Sequence, residues 1–130
     1  MILDSCFLID LLRNDKNAKE KAEKLDSLFQ TKGISSITII ELWRGILRQK
    51  NNEKEKQEIE NLFHSLTIFP LGEQEAKKAA EIEKTLIEKG EIIDWENILI
   101  AATASVHNLS IVTRNIKHFR KIPHLKIETY

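Results

Sequence analysis

The chain has 130 residues with 20 basic and 20 acidic side chains, so its formal charge is zero, which argues against a broad basic surface wrapping a long nucleic acid. A hydrophobic content of 42% and a charged content of 31% suit one globular domain with one core and leave no room for a second. The lone cysteine, Cys6, excludes an internal disulfide, and no apolar run approaches the roughly 20 residues of a membrane span. No basic segment precedes the first apolar residues and Asp4 interrupts them, so no signal peptide is expected; the expected setting is the cytoplasm, with no membrane partner.

Met1-Ile2-Leu3 is an apolar run with no polar alternation, which suits a strand buried on both faces of a parallel sheet. Helical periodicity runs from Ser5 to about Leu12, and a second helix is expected over Ala18–Gln30 with Ala22, Leu25, Leu28 and Phe29 inward and Gly33 closing it. Ile34-Ser35-Ser36 reads as a short strand, followed by a helix from Ile37 to about Arg48 with Ile37, Ile40, Trp43, Ile46 and Leu47 inward. Asn51-Asn52 makes a turn before a helix over Glu53–Ser65, whose early charges read as a solvated face. Thr67–Leu71 is a strand stopped by Pro70. Glu73–Lys89 is an amphipathic helix with Ala76, Ala79, Ala80, Ile82, Leu86 and Ile87 inward, closed by Gly90. Asp94 opens an almost wholly apolar helix through Val106, Ser110–Thr113 is a strand, Arg114–Lys121 is basic, and Lys126–Thr129 is a last strand. Strands alternating with helices give an α/β layered fold around a mainly parallel sheet.

In such sheets ligands gather at the carboxyl ends of the strands. Asp4 follows the first strand, Glu41 lies one turn into the helix after the second, Asp94-Trp95-Glu96-Asn97 opens a buried helix, and Asn115 follows Ile111-Val112-Thr113. Oxygen donors with no histidine or thiol partners suit a hard cation such as Mg²⁺ or Mn²⁺. His64, His107, His118 and His124 have no zinc-like spacing. Each donor also has a plainer role: Asp4 and Asp94 as helix caps, Glu41 as the partner of Arg44 at i+3, Asn115 as a turn residue.

The order Met1-Ile-Leu-Asp4-Ser5, Ser36-Ile-Thr-Ile-Ile-Glu41-Leu-Trp-Arg-Gly45, Ile98-Leu-Ile-Ala-Ala-Thr-Ala104 and Val112-Thr-Arg-Asn115 with His118-Phe119 resembles the PIN-domain toxins of the VapC type, along nearly the whole chain. The resemblance implies a three-layer α/β/α sandwich and a Mg²⁺- or Mn²⁺-dependent endoribonuclease, usually a homodimer, neutralised by a small antitoxin. It places Asp4 and Glu41 at the first and second acidic positions and Asn115 at the fourth. The third acid is absent: its position is Asn97. Asp94, three residues earlier, is read as the carboxylate that replaces it, so that Asp4 and Asp94 hold the ion, and adjacent Glu96 is ranked last because it points about 100° away. Ser5 and Thr113 are read as hydrogen-bonding supports of the acids. Arg114, Lys117, Arg120 and Lys121 form the one local basic cluster, suited to an RNA backbone or to ordinary surface solubility.

Two rival readings are weaker. A phosphatase of the haloacid dehalogenase type wants a second Asp where Cys6 stands, and no glycine-rich phosphate loop exists. A PIN fold that has lost activity and binds RNA or a partner is consistent with Asn97. For the antitoxin, the third and fourth helices offer Trp43, Ile46, Leu47, Leu62 and Phe63, enough apolar surface to receive an amphipathic helix or simply to pack.

Overall fold

A computed structural model describes residues 1–130. In chain order its elements are β1 (Ile2–Leu3), α1 (Ser5–Leu12), α2 (Lys16–Asp26), β2 (Gly33–Ser35), α3 (Ser36–Leu47), α4 (Glu53–His64), β3 (Thr67–Phe69), α5 (Glu73–Glu88), α6 (Trp95–Val106), β4 (Ile111–Val112), α7 (Ile116–Phe119) and β5 (Ile127–Glu128). The five strands form one parallel sheet in the order β3-β2-β1-β4-β5. β1 is therefore central: Ile2 pairs with Gly33 on one side and Ile111 on the other, and Leu3 pairs with Val112.

Successive residues of a strand face opposite sides, and this separates two cores. Ile2 and Ile111 join α5 and α6 through Ala79, Ile82, Leu86 and the Ile100–Ala104 run in one cluster of 13 buried residues. Met1, Leu3, Ile34 and Val112 join α1, α3 and α4 through Phe7, Leu8, Leu42, Ile46, Ile59 and Phe63 in a second cluster of 12. The result is the expected three-layer α/β/α sandwich, with the sheet wholly rather than mainly parallel.

Local chemistry sets the helix ends. Asp15 accepts the Ala18 amide at 2.9 Å and Ser35 that of Thr38 at 3.2 Å, so α2 and α3 start under side-chain caps. Gly90 takes φ +68° and the Glu91 amide returns to the Leu86 carbonyl at 2.9 Å, a glycine-closed end to α5.

Several inward faces differ from expectation. α2 stops at Asp26, so Leu28 and Phe29 lie beyond the helix and are exposed. Gly33 does not close that helix; it lies in β2, where an added Cβ would come within 2.4 Å of Phe69 Cε2 and 2.5 Å of the Thr67 carbonyl. Only glycine lets β3 approach there. On α3 the buried stripe is Ile37, Leu42 and Ile46, which leaves Ile40 and Leu47 exposed. On α5 it is Glu75, Ala79, Ile82 and Leu86, a narrow seam facing α6, so Ala76, Ala80 and Ile87 turn outward.

Candidate active site

Asp4 is both cap and candidate ligand. It leaves β1 in extended conformation, caps α1 and is buried. Its Oδ1 accepts the Ser5 amide at 2.9 Å, and its Oδ2 accepts the Thr113 hydroxyl at 2.7 Å and the Cys6 thiol at 3.1 Å. Thr113, fully buried, in turn accepts the Asn115 amide at 2.9 Å. The support expected of Thr113 is thus a direct bond, and it ties the end of β4 to the end of β1.

Glu41 stands in the second turn of α3, half-buried, with its Oε2 buried and without a hydrogen-bond partner. Burial raises its pKa above the ordinary carboxylate value, and the charges of Asp4 and Glu96 add to the rise. The Ser5 hydroxyl opposes it as a hydrogen-bond donor, and the pull of Arg44 is the weakest of the named influences. Glu41 is therefore no simple partner of Arg44.

Asn97 is buried in the first turn of α6 with its amide nitrogen 3.4 Å from His118 Nδ1 on α7. Asp94 is the N-cap, exposed, and makes no capping bond through its side chain. Its carbonyl accepts the Ile98 amide at 3.2 Å, so Asp94 opens the turn in which Asn97 is the third residue. Glu96, ranked last from the sequence, is the α6 carboxylate whose charge reaches Glu41. His118, which follows Val112-Thr-Arg-Asn115 in the resemblance, is brought against the third position by its contact with Asn97.

The basic segment divides. Arg114 Nη1 lies 2.8 Å from Asp10 Oδ2, and Lys121 Nζ lies 3.0 Å from Glu91 Oε2. Lys117 and Arg120 are exposed and make no ion pair. Beside Glu41 a cleft of about 420 Å³ opens between α1, α3 and α4, walled by Ile9, Leu12, Leu42, Ile46 and Ile59 and edged by Arg13, Glu55 and Glu58. The Glu55 Oε2 there is also buried without a partner.

No three His, Cys, Asp or Glu side chains surround a common point. The donor set nevertheless fits a hard cation on two observations: the orphaned Glu41 oxygen, and the charges of Asp4 and Glu96 that help to raise the pKa of Glu41. Asp4 and Glu41, with the Asn97 amide, are the groups that such an ion would relieve.

The PIN-domain family model matches residues 1–125. The chain belongs to the PIN-domain family. It is 33% identical over 132 aligned positions to the ribonuclease VapC of Rickettsia bellii, covering 99% of this chain and 95% of the relative. It is 33% identical over 100 residues to ribonuclease VapC2 of Rickettsia felis, covering 77% of this chain and 75% of the relative. Among solved structures, VapBC2 of Rickettsia felis bound to a promoter DNA fragment superposes with a TM-score of 0.91 at 28% identity, covering 99% of this chain and 97% of that one. VapBC-1 of nontypeable Haemophilus influenzae gives 0.88 at 28% identity, covering 98% and 96%. In this PIN domain Asp4 ends β1 at the carboxyl edge of the sheet, and Glu41 of α3 feels the charges of Asp4 and of Glu96 on α6.

Proposed function

We propose that this VapC-type PIN domain is the ribonuclease toxin of a toxin–antitoxin pair, an endoribonuclease dependent on Mg²⁺ or Mn²⁺. The observation that carries the reading is the buried, unpartnered Glu41 oxygen beside a second buried carboxylate, Asp4, at the strand-end edge. Asp4, fixed by Thr113, Cys6 and the Ser5 amide, presents an oriented carboxylate. Glu41 orients the attacking water, Asn97 offers an amide oxygen, and α6 supplies a further carboxylate from Glu96 or Asp94. Asn115, at the fourth position, opens α7 after β4 with its side chain free of any capping bond. The ion, when bound, neutralises charge developing on the phosphate and makes water a better nucleophile. Arg114, Lys117, Arg120 and Lys121 position the RNA backbone.

Two relatives of the fold are VapBC complexes, which supports an antitoxin as partner. The cleft beside Glu41 suits it: apolar walls receive one face of a helix, and the unpartnered oxygens of Glu41 and Glu55 receive a basic side chain. A homodimer is proposed through the exposed apolar side chains of Ile87, Ile92 and Trp95 at the α5–α6 junction, Ile92 being 87% exposed.

The test is cleavage of total RNA and a transfer-RNA panel by the purified chain with Mg²⁺, Mn²⁺ or EDTA, with Asp4→Ala alongside. Discrete fragments that need the metal and vanish with Asp4→Ala are expected. Folded, antitoxin-free protein that cuts nothing under any metal turns the reading to the binding-only alternative that Asn97 favours.

A further inference from the structure

Arg114 does something the other basic residues of its segment do not. Its guanidinium Nη1 lies 2.8 Å from Asp10 Oδ2, and its side chain is 58% exposed while that of Asp10 is 7% exposed. A guanidinium carries five N–H donors, so a side chain this exposed, tethered to a buried anchor, keeps donors facing solvent. The anchor is itself held: the Tyr130 hydroxyl donates to the same Asp10 Oδ2 at 2.8 Å, and the Tyr130 ring packs edge-on against Phe7 of α1 with centroids 4.9 Å apart. The backbone origin of Arg114 is fixed as well. Thr113 before it donates to Asp4, and the Asn115 amide after it donates back to Thr113. Lys121 is paired with Glu91, whereas Lys117 and Arg120 have no such tether. Arg114 is thus the one cation of the segment that is both exposed and held at its head and its root.

We propose that Asp10 and Tyr130 are positioning residues that hold Arg114 with its open edge toward an RNA phosphate next to the one at Asp4. The inference rests on the ribonuclease reading above. A fork held in place loses less freedom when it binds a phosphate than a mobile lysine does. Asp10 and Tyr130 touch no substrate themselves. They set the direction of a residue that does.

The experiment measures binding of a fluorescein-labelled single-stranded RNA by anisotropy, on a Glu41→Gln background so that nothing is cut, across a salt series. Arg114→Gln is expected to weaken binding about tenfold, the scale of one charge-assisted bond, and to lower the salt slope by about 0.7, one phosphate on a single strand. Asp10→Asn is expected to weaken binding several-fold with all charges on the RNA side intact, and Asp10→Asn with Arg114→Gln no more than Arg114→Gln alone. Tyr130→Phe, the milder variant should Asp10→Asn fold poorly, should move binding the same way. A staple that serves the fold alone would lower the melting temperature and leave affinity and salt slope at the parental values; that result, or additive losses in the double variant, overturns the proposal while leaving the nuclease reading intact. A parent that binds no RNA and a wild-type chain that cuts none overturn both together.

Discussion

Replacing Thr113 with valine tests how the candidate site is held together. The substitution keeps the shape of a fully buried side chain and deletes one hydroxyl. That hydroxyl donates to Asp4 Oδ2 at 2.7 Å and accepts the Asn115 amide at 2.9 Å. A hydrogen bond to a charged acceptor contributes about 1.5–3 kcal/mol and a neutral one about 0.5–1.5 kcal/mol. Asp4 keeps the Ser5 amide and the Cys6 thiol, and the half-buried Asn115 amide can recover some of its loss from water, so the expected cost is about 2–4 kcal/mol. For a chain of this size that is a drop of roughly 6–15 °C in melting temperature. Thr113→Ser keeps both bonds and loses one methyl group, at about 1 kcal/mol. Urea unfolding followed by circular dichroism gives both values through the midpoint at constant slope. Valine must cost more than serine. The reverse order, or a valine variant within about 0.5 kcal/mol of the parent, would show that Thr113 packs rather than binds and would remove the support assigned to Asp4.

Glu41→Gln removes a carboxyl whose pKa is raised by burial; the folded form holds the proton more tightly than the unfolded, so the native charge costs stability that is lost as pH rises above the ordinary carboxylate value of 4.5. The glutamine protein should therefore melt higher than the parent in EDTA at pH 7, by a few degrees, and converge with it near pH 4 in differential scanning fluorimetry. Mg²⁺ or Mn²⁺ should raise the melting temperature of the parent more than that of the glutamine variant, and equal shifts would remove Glu41 from the ion site. Asn97→Asp restores a carboxylate at the third position and should tighten Mg²⁺ binding in a calorimetric titration; equal affinities in the two proteins would refute the charge argument. Gly33→Ala drives a methyl group against the Phe69 ring and the Thr67 carbonyl and should cost about 1–3 kcal/mol in urea unfolding, or more if β3 detaches. Ile92→Asp should turn a dimer into a monomer in light scattering without lowering the melting temperature of the monomer; an unchanged mass would place any dimer interface elsewhere.

The sheet and the first acid were legible because short apolar runs ending in Asp4, Ser35 and Thr113 leave few alternatives to buried parallel strands. The inward faces were less so. An apolar period continues through Leu28 and Phe29 although the helix has ended at Asp26, because periodicity registers side-chain type and is blind to where backbone hydrogen bonds stop. Gly33 reads equally well as a helix stop and as a close strand contact, and only the position of Phe69 decides. At the site, the helical angle from Asn97 was the guide to the neighbouring carboxylates, and an angle on one helix cannot show that the Glu96 charge reaches Glu41 on another. The Asp10–Arg114–Tyr130 group was invisible because its members lie 104 and 120 residues from Asp10 in the chain, outside any local motif.

Of the five strands, the one at the middle of the sheet is made first and its second neighbour fourth. Asp4 and the Thr113 hydroxyl that steadies it are separated by 109 positions, so the acidic edge closes only after β4 has emerged, a long-range pairing of the slow kind. Translation products that stop short of β4 contain Asp4, Glu41 and all of α6 and still have no assembled edge. For the ribonuclease proposed above, this ordering defers the activity until β4 has emerged and paired.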